Sequence, residues 1–198
     1  MDYHIPTLED YDRRIQEILS TITVTGPDGD KIPVNVQYYM PEPEREPDID
    51  LKRPAITYYM YDVVEDFARE NSLSFIKKRR DDEREVDIVR PPTPVKLFYH
   101  FSVLTDYKQH QNEIIQQMNY LFPIRGYIDI DTPKGKAYYD FFRTQFQMAD
   151  TYLEVPHGGT TGRRLLRVWY RYQLLTEVDE NRPDTYRQVL EINPDINS

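Results

Sequence analysis

The chain has 198 residues, of which 39% are hydrophobic, enough for one domain of ordinary size with a buried core. It carries 34 acidic and 25 basic side chains, and the net charge of -9 argues against general binding of duplex nucleic acid, which depends on lysine and arginine. The absence of cysteine excludes disulfides, thiolate nucleophiles and cysteine metal sites, and fits a reducing cytoplasm. With no apolar leader and no run of about 20 apolar residues, we expect a soluble, untargeted protein.

The first part of the chain predicts a helix, a hairpin and a strand. Residues 7–22 place apolar side chains at helical spacing behind Thr7, with Asp10 three residues later as in a capping box. The turn GPDG at 26–29 separates ITVT from KIPVNVQYYM, which indicates a β-hairpin. The segment AITYYMYDV at 55–63 is apolar and aromatic on both faces, which favours a strand inside a sheet.

Two charged segments interrupt this pattern. Residues 41–54 contain four prolines among mostly charged neighbours, so they bury too little to order themselves and we predict an extended arm. Residues 66–90 contain KKRRDDERE, in which four positive charges precede mostly negative ones. Such blocks are typical of solvated loops or hairpin tips, and the alternative is a clamp on a neighbouring subunit.

The next unit is the most regular in the chain. Three prolines hold the entry to VKLFYHFSVLT extended, and we predict that this segment is a central strand. A helix is then predicted from Asp106, with its apolar side chains between residues 114 and 122 on one face. The following segment RGYIDID predicts a short strand.

The last third is predicted from local patterns alone. Residues 132–150 predict a helix, with Thr132 as N-cap and Pro133 as first residue, and residues 151–156 a further strand. The β-branched and aromatic content of RRLLRVWYRYQLLTEV at 163–178 indicates a long strand that pairs antiparallel with a neighbour. Residues 179–198 have too few apolar groups for a core, so we expect a tail that docks elsewhere or stays loose.

Residues that could carry chemistry have simpler interpretations. The glycine cluster HGGTTG at 157–162 is followed by two arginines and a strand instead of the Lys-Ser/Thr and helix of a phosphate loop, which favours a plain turn. Asp106, His110 and Glu113 share one helical side and could ligate a metal, although the same positions are the expected solvent face. Asp129 and Asp131 could hold a hard cation but fit strand-end residues better. We therefore predict no catalytic, cofactor or metal site.

An arginine-rich strand is the main electrostatic anomaly. Arg163, Arg164, Arg167 and Arg171 lie in a stretch, 155–176, that contains no acid. In a strand, residues 163, 167 and 171 share one face, with apolar and aromatic residues on the other. Three interpretations are open: pairing with carboxylates of the same chain, an interface with an acidic partner, and a platform for single-stranded nucleic acid.

The order RPAITYYMYDVVED, charged loop, RPPTPVKLFYHFSVLTDYKQHQNEIIQQMNYLF resembles the core of the tail-terminator or tube-cap proteins of contractile phage tails and contractile injection systems. In that family an apolar strand ending in Tyr-Asp precedes a charged insertion, and a proline-led strand then runs into a long helix. The matching positions are Tyr61, Asp62, Pro91, Pro92, Leu97, Tyr99 and the helix at 113–122. The resemblance covers about residues 5–130.

This resemblance implies an α+β fold with a twisted, mostly antiparallel sheet flanked by helices. We expect a single domain at 1–178, with arms at 41–54 and 66–90, and a C-terminal tail at 179–198. The resemblance also implies a structural virion protein and no enzyme: six copies form a ring that caps the tail tube or sheath, stops polymerisation and docks the neck or head.

The resemblance and the charge pattern together predict partners and interfaces. The ring would contact the tube or sheath protein and a neck or head-completion protein, be assembled in the host cytoplasm, and let DNA pass through its lumen without specific binding or membrane contact. The alternatives are a head-completion or neck connector protein, and a small cytosolic binding module or metal-dependent enzyme. The predicted interface residues are Arg163, Arg164, Arg167, Arg171, Lys77, Lys78, Arg79, Arg80 and Tyr186.

Overall fold

The computed structural model describes residues 6–39, 51–69, 76–79, 85–89, 92–132, 135–153, 163–178 and 184–187. In these ranges the helices are α1 (Leu8–Leu19) and α2 (Lys108–Leu121). The strands are β1 (Thr23–Thr25), β2 (Lys31–Pro33), β3 (Asn35–Tyr38), β4 (Ala55–Glu65), β5 (Ile76–Arg79), β6 (Glu85–Val89), β7 (Thr93–Thr105), β8 (Arg125–Thr132), β9 (Gly135–Leu153), β10 (Arg163–Val178) and β11 (Asp184–Arg187). Neither helix is long and apolar enough to cross a membrane.

Helix α1 begins with a complete capping box, which confirms the prediction for residues 7–22. The Asp10 backbone N–H donates to Thr7 Oγ1 at 3.3 Å, and the Thr7 N–H donates to the Asp10 carboxylate at 2.8 Å. These two bonds satisfy donors that a helix start otherwise leaves unpaired. The helix then buries Tyr11, Ile15 and Leu19 against the sheet.

The predicted hairpin forms between β1 and β2, but its second strand is shorter than predicted. Val24 pairs with Ile32 across the hairpin, and Gly29 in the turn has a φ of +85°, a conformation that favours glycine. The buried Val34 still donates its N–H to Ile22 O at 3.1 Å, one pair beyond Thr23 and Pro33. From Asn35 the chain forms β3 in the large sheet, where it runs parallel to β4.

A six-stranded sheet in the order β3-β4-β7-β10-β9-β8 forms the body of the molecule. Every pairing except β3 with β4 is antiparallel. The long strands β7 and β10 lie at its centre and send alternate apolar residues toward α1 and α2, from Val95 to Val103 and from Val168 to Leu174. The predicted α+β fold and the two predicted central strands are confirmed.

The prediction of a helix at 132–150 is wrong, because this segment is the long strand β9. Thr132 pairs with Gly135, whose φ is +125°, so the Thr-Pro pair enters a hairpin connection instead of capping a helix. Aromatic residues on both faces of 138–142 suit a strand, and β9 pairs with β8 on one side and β10 on the other. The strand predicted at 151–156 is the end of β9, as far as Leu153.

Part of the charged segment 66–90 is ordered as a hairpin of β5 and β6, in which Lys78 lies opposite Asp87. Strand β11 from the C-terminal segment pairs antiparallel with β6, placing Tyr186 opposite Val86. These strands form a second, three-stranded sheet in the order β11-β6-β5. Of the predicted arm at 41–54, residues 41–50 lie outside the described residues.

Candidate docking face

The side of the six-stranded sheet that points away from α1 and α2 is rich in aromatic and arginine residues. The alternation that turns Leu97 and Tyr99 of β7 into the core turns Phe98 and His100 the opposite way. We call this side the open face and define it by Tyr59, Tyr61, Phe98, His100, Phe142, Arg167, Trp169 and Arg171. Aromatic and arginine side chains are the residues most enriched at the centres of protein interfaces.

The centre of the open face is a row across four strands. Tyr59 of β4, His100 of β7, Arg171 of β10 and Gln145 of β9 lie opposite one another in the strand register. The Tyr59 and His100 rings are 5.3 Å apart, centroid to centroid. Next to this row, the Tyr61 and Phe98 rings are 5.9 Å apart and the Arg171 guanidinium lies 5.6 Å from the Tyr61 ring. The row and its neighbours therefore combine a cation with closely spaced, tilted rings at the middle of the sheet.

Two β-bulges flank this row. On β4 the register shifts between Met60 and Asp62, so Tyr61 is the additional residue and its ring joins that of Tyr59 on the same face. On β9 the register shifts beside Arg171, and Thr144 donates its hydroxyl to the Arg171 carbonyl at 3.2 Å. Bulges re-aim side chains and recur beside functional sites. Alternation already places Tyr61, which is 39% exposed, on the same face as Tyr59, and the first bulge brings Asp62 onto that face opposite Phe98.

Arg167 and Arg171 lack carboxylate partners in the part of the chain that the structure describes. Arg171 is exposed and contacts Tyr61, whereas Arg167 is partly buried over the Trp169 ring at 5.6 Å. The Arg167 Nε atom is buried without a hydrogen-bond partner among the described residues. Burial lowers the pKa of the Arg167 guanidinium. The prediction that these arginines pair with carboxylates of the same chain is thus not fulfilled within the described ranges.

His100 lies between these arginines and the tyrosine pair. Burial, followed by the charges of Arg171 and Arg167, lowers the pKa of its imidazole to about 4. Its Nδ1 atom is buried and has no hydrogen-bond partner in the described residues. His100 is therefore neutral near pH 7, and the positive charge of the open face comes from arginine.

The structure separates the predicted interface residues into two groups. Arg167 and Arg171 share the open face, and Arg163 and Arg164 begin the same strand, with side chains outside the described set. Lys77, Lys78 and Arg79 lie on β5 and Tyr186 lies on β11, in the second sheet; Arg80 lies outside the described residues. Tyr59, Tyr61, Phe98 and His100 were not predicted as site residues. Strand alternation groups Tyr59 with Tyr61 and Phe98 with His100, but the register that brings the two pairs together on one face is not visible in the sequence.

The residues considered as metal ligands have separate structural roles. Asp106 pairs with Arg53 at 3.2 Å, while the Glu113 carboxylate accepts the Thr25 N–H at 2.7 Å and His110 Nε2 lies 3.1 Å from the Thr25 carbonyl. The described residues contain no group of three potential ligands close enough to hold a metal ion. His110 and Glu113 attach the β1–β2 hairpin to α2, so the expectation of a solvent face is wrong at these two positions.

Asp129 is held by cations of the same chain. The Lys136 ammonium and the Arg14 guanidinium, the latter at 2.7 Å, lower the pKa of its carboxyl to about 2.

The core beneath the helices contains an apolar void of only about 20 Å³, room for about one water molecule. That void offers no space for a substrate.

Comparisons with known proteins bear on the fold. Neither a protein-family model nor a curated protein sequence matches the chain. The sheath/tube terminator of PVC, an extracellular contractile injection system, in its extended state, is similar at a TM-score of 0.50 and 11% identity. The alignment covers 99% of this chain and 65% of that one. The tube-terminating cap of the anti-feeding prophage gives a TM-score of 0.43 at 10% identity, covering 95% and 61%.

The chain therefore spans less than two thirds of the length of either solved protein. The TM-score of 0.50 shows a shared fold, and an identity of 11% leaves the function to be tested. The resemblance inferred from residues 55–122 agrees with this result at the level of fold. Across nearly its whole length, the chain has the fold of a sheath/tube terminator from a contractile injection system.

Proposed function

We propose that this protein is a structural cap of a contractile tail, which binds the last ring of the tube or sheath and stops further polymerisation. The observation that carries the proposal is the fold shared with the PVC sheath/tube terminator over 99% of this chain. The remaining 35% of that terminator has no counterpart in the aligned chain. The proposal therefore assigns to this protein none of the contacts that the remaining part of the terminator makes.

The arrangement of the described residues supports a role in assembly. A cap needs faces for several neighbours, and repeated modest interfaces in a closed ring add up to a stable complex. The open face and the second sheet are two such surfaces, and we assign Arg163, Arg164, Arg167 and Arg171 to one and Lys77, Lys78, Arg79, Arg80 and Tyr186 to the other. The proposal gives the protein no enzymatic reaction.

The finer features of the proposal follow from the family resemblance. Six copies form the ring, which contacts the tube or sheath protein below and a neck or head-completion protein above. Assembly takes place in the host cytoplasm. The net charge of -9 favours passage of DNA through the lumen without specific binding.

Deletion of the gene, followed by electron microscopy of the particles, tests the proposed function. We expect overlong or ragged tails without heads, restored to uniform length when the wild-type gene is supplied in trans. Tails of normal length beside separate heads would assign the protein to the neck. Normal particles would contradict both structural roles. Sixfold symmetry of the purified ring by cryo-electron microscopy would support the cap, and twelvefold symmetry would favour a connector.

A further inference from the structure

We propose that the open face binds an acidic peptide segment of a neighbouring tail or neck protein, whose carboxylate pairs with Arg171 and whose hydrocarbon groups pack on Tyr59 and Tyr61. The identity of the neighbour rests on the proposed function, whereas the chemistry of the site does not. The site consists of the Tyr59–His100–Arg171 row and the adjacent Tyr61 and Phe98 rings.

The first argument is the pairing of cations elsewhere in the fold. Lys96 and Arg69 share Asp66 at 3.0 and 2.7 Å, and Arg14 pairs with Asp129 at 2.7 Å. Arg167 and Arg171, like the ring-stacked Arg125 and Arg143, have no ion pair with a described residue. Arg171 is the exposed member of the pair on the open face, and an exposed guanidinium without a carboxylate among the described residues is suited to a bidentate pair with a carboxylate from outside.

The second argument is the surface around Arg171. Its guanidinium rests on the Tyr61 ring at 5.6 Å, which holds the planar group against the sheet with little freedom. The Tyr59, Tyr61 and Phe98 rings present hydrocarbon on the same side, so a bound segment can bury apolar groups while its carboxylate reaches the cation. Tyr59 and Tyr61 share this face through the alternation of β4, and the bulge between Met60 and Asp62 places Asp62 on it as well.

The charge pattern favours an acidic peptide over single-stranded nucleic acid. A nucleic-acid platform needs basic residues that follow a continuous phosphate backbone. On the open face, however, Asp62 of β4 lies opposite Phe98 of β7, and Asp140 of β9 lies on the same side of the sheet. These carboxylates would repel a phosphate backbone that is held along the sheet, whereas a peptide can place one or two carboxylates near Arg171 and Arg167 and leave the others in solvent.

The single tryptophan of the chain offers a direct readout. Trp169 lies on β10 between Arg167 and Arg171 on the same face, so its fluorescence reports occupancy of the site. The purified full-length protein is titrated with octaglutamate, with octaglutamine, and with an oligothymidylate of equal length. We expect a saturable, salt-sensitive change with octaglutamate only, because salt screens partly exposed charges.

Two substitutions identify the residue responsible. Arg171→Gln should weaken octaglutamate binding by about tenfold or more, and Arg171→Lys should retain part of it. The matched control is Arg13→Gln, which removes the same charge from an exposed position on α1 and should leave binding unchanged. Circular dichroism of each variant verifies the fold.

Several results would overturn the inference. Equal binding of octaglutamine, no binding of octaglutamate, or an equal loss in the Arg13→Gln variant would each do so. Binding of the oligothymidylate as tightly as octaglutamate would replace the peptide with nucleic acid. Because these titrations use the isolated protein, their failure is distinct from that of the proposed function, which depends on tail length in the gene deletion.

Discussion

At the scale of single residues, tyrosine hydroxyls make much of the hydrogen bonding in the core. Tyr99 donates to the Asp12 carboxylate at 2.8 Å, and Tyr58 donates to the Asp12 carbonyl at 3.2 Å. Tyr172 donates to Phe122 O at 2.7 Å, and the Tyr11 hydroxyl bonds to Thr176. Tyrosine fills volume like phenylalanine but needs a partner when buried, so these bonds fix how α1 and the C-terminal end of α2 lie on the sheet.

Replacing Tyr99 with phenylalanine tests this arrangement. The ring remains, but Asp12 loses the donor that stabilises its charge, while burial still raises the pKa of its carboxyl. We expect the free energy of unfolding to fall by about 1–2 kcal/mol and the pKa of Asp12 to rise further. Urea denaturation and NMR titration of Asp12 measure the two effects. Tyr120→Phe is the control, since Tyr120 is 85% exposed, and an equal loss there would contradict the prediction.

His100 predicts a pH dependence of stability. Its pKa falls from an ordinary 6.5 to about 4 in the fold, so the unfolded chain binds the proton more tightly. The contribution of neutral His100 is complete above pH 6.5 and is lost as the pH falls toward 4, by up to about 3 kcal/mol. The facing groups are Tyr59 on β4 and Arg167 and Arg171 on β10.

The variant His100→Gln isolates this effect. It should reduce the decline of the unfolding free energy between pH 6.5 and 4, as measured by urea denaturation at several pH values. Asp129 lies outside this window, because its lowered pKa of about 2 places its loss below pH 3.8. Parallel pH profiles for the variant and the wild type would contradict the assignment.

At the scale of elements, polar side chains attach the helices to particular strands. Arg14 of α1 donates to the Asp129 carbonyl at 3.0 Å on β8, which occupies one edge of the sheet. A charged side chain on an edge carbonyl hinders the addition of another strand there. On α2, the Gln117 side chain donates to Thr23 O at 2.6 Å and accepts the Thr23 N–H at 3.2 Å. This one amide therefore bonds both backbone groups of Thr23 and attaches β1 of the hairpin to α2.

Gln117→Ala should release the hairpin. Both backbone groups of Thr23 lose their partner, so we expect the unfolding free energy to decrease by about 1–3 kcal/mol. Hydrogen exchange of β1 amides should also accelerate. The adjacent Gln116→Ala is the matched control, because Gln116 is exposed on the same helix. If both variants lost the same stability, helix propensity and not hairpin attachment would be the cause.

Some elements of the fold could be predicted from the sequence, and others could not. Helix α1, the β1–β2 turn and strands β7 and β10 were predictable because caps, turn residues and alternation are local signals. Strand β9 was not, since Thr132 and Pro133 imitate a helix start and pairing with two neighbouring strands decides the outcome. The open face was half predictable: alternation groups Arg167 with Arg171 and Tyr59 with Tyr61, but the position of Arg171 beside Tyr61 depends on register across strands.

At the scale of the whole molecule, the described residues contain, besides the two-stranded β1–β2 hairpin, two sheets of different character. The six-stranded sheet has a buried core under two helices. The three-stranded sheet combines β5 and β6 from the charged segment with β11 from residues predicted to be a tail. Within the segment predicted as a tail, the described residues Asp184–Arg187 therefore belong to the second sheet through their pairing with β6.

Truncation after residue 178 tests this division. It removes β11, so amides of β6 should exchange faster, while the protection of β7 and β10 stays within error. Hydrogen exchange with mass spectrometry measures both regions in one sample, and the β1–β2 hairpin serves as an internal reference. Equal changes in β6 and β7 would contradict the division. Unaltered ring formation by the truncated protein would show that the tail is not needed for assembly.

The position of β10 has a consequence for biosynthesis. It follows the other five strands of its sheet along the chain, yet it lies between β7 and β9 in space. Until β10 leaves the ribosome, β3-β4-β7 and β9-β8 are two unconnected pieces, and joining them requires contacts between distant parts of the sequence, which form slowly. A chain released before residue 163 therefore cannot complete the open face. Interrupted translation thus yields no fragment in which Arg171 lies beside Tyr61.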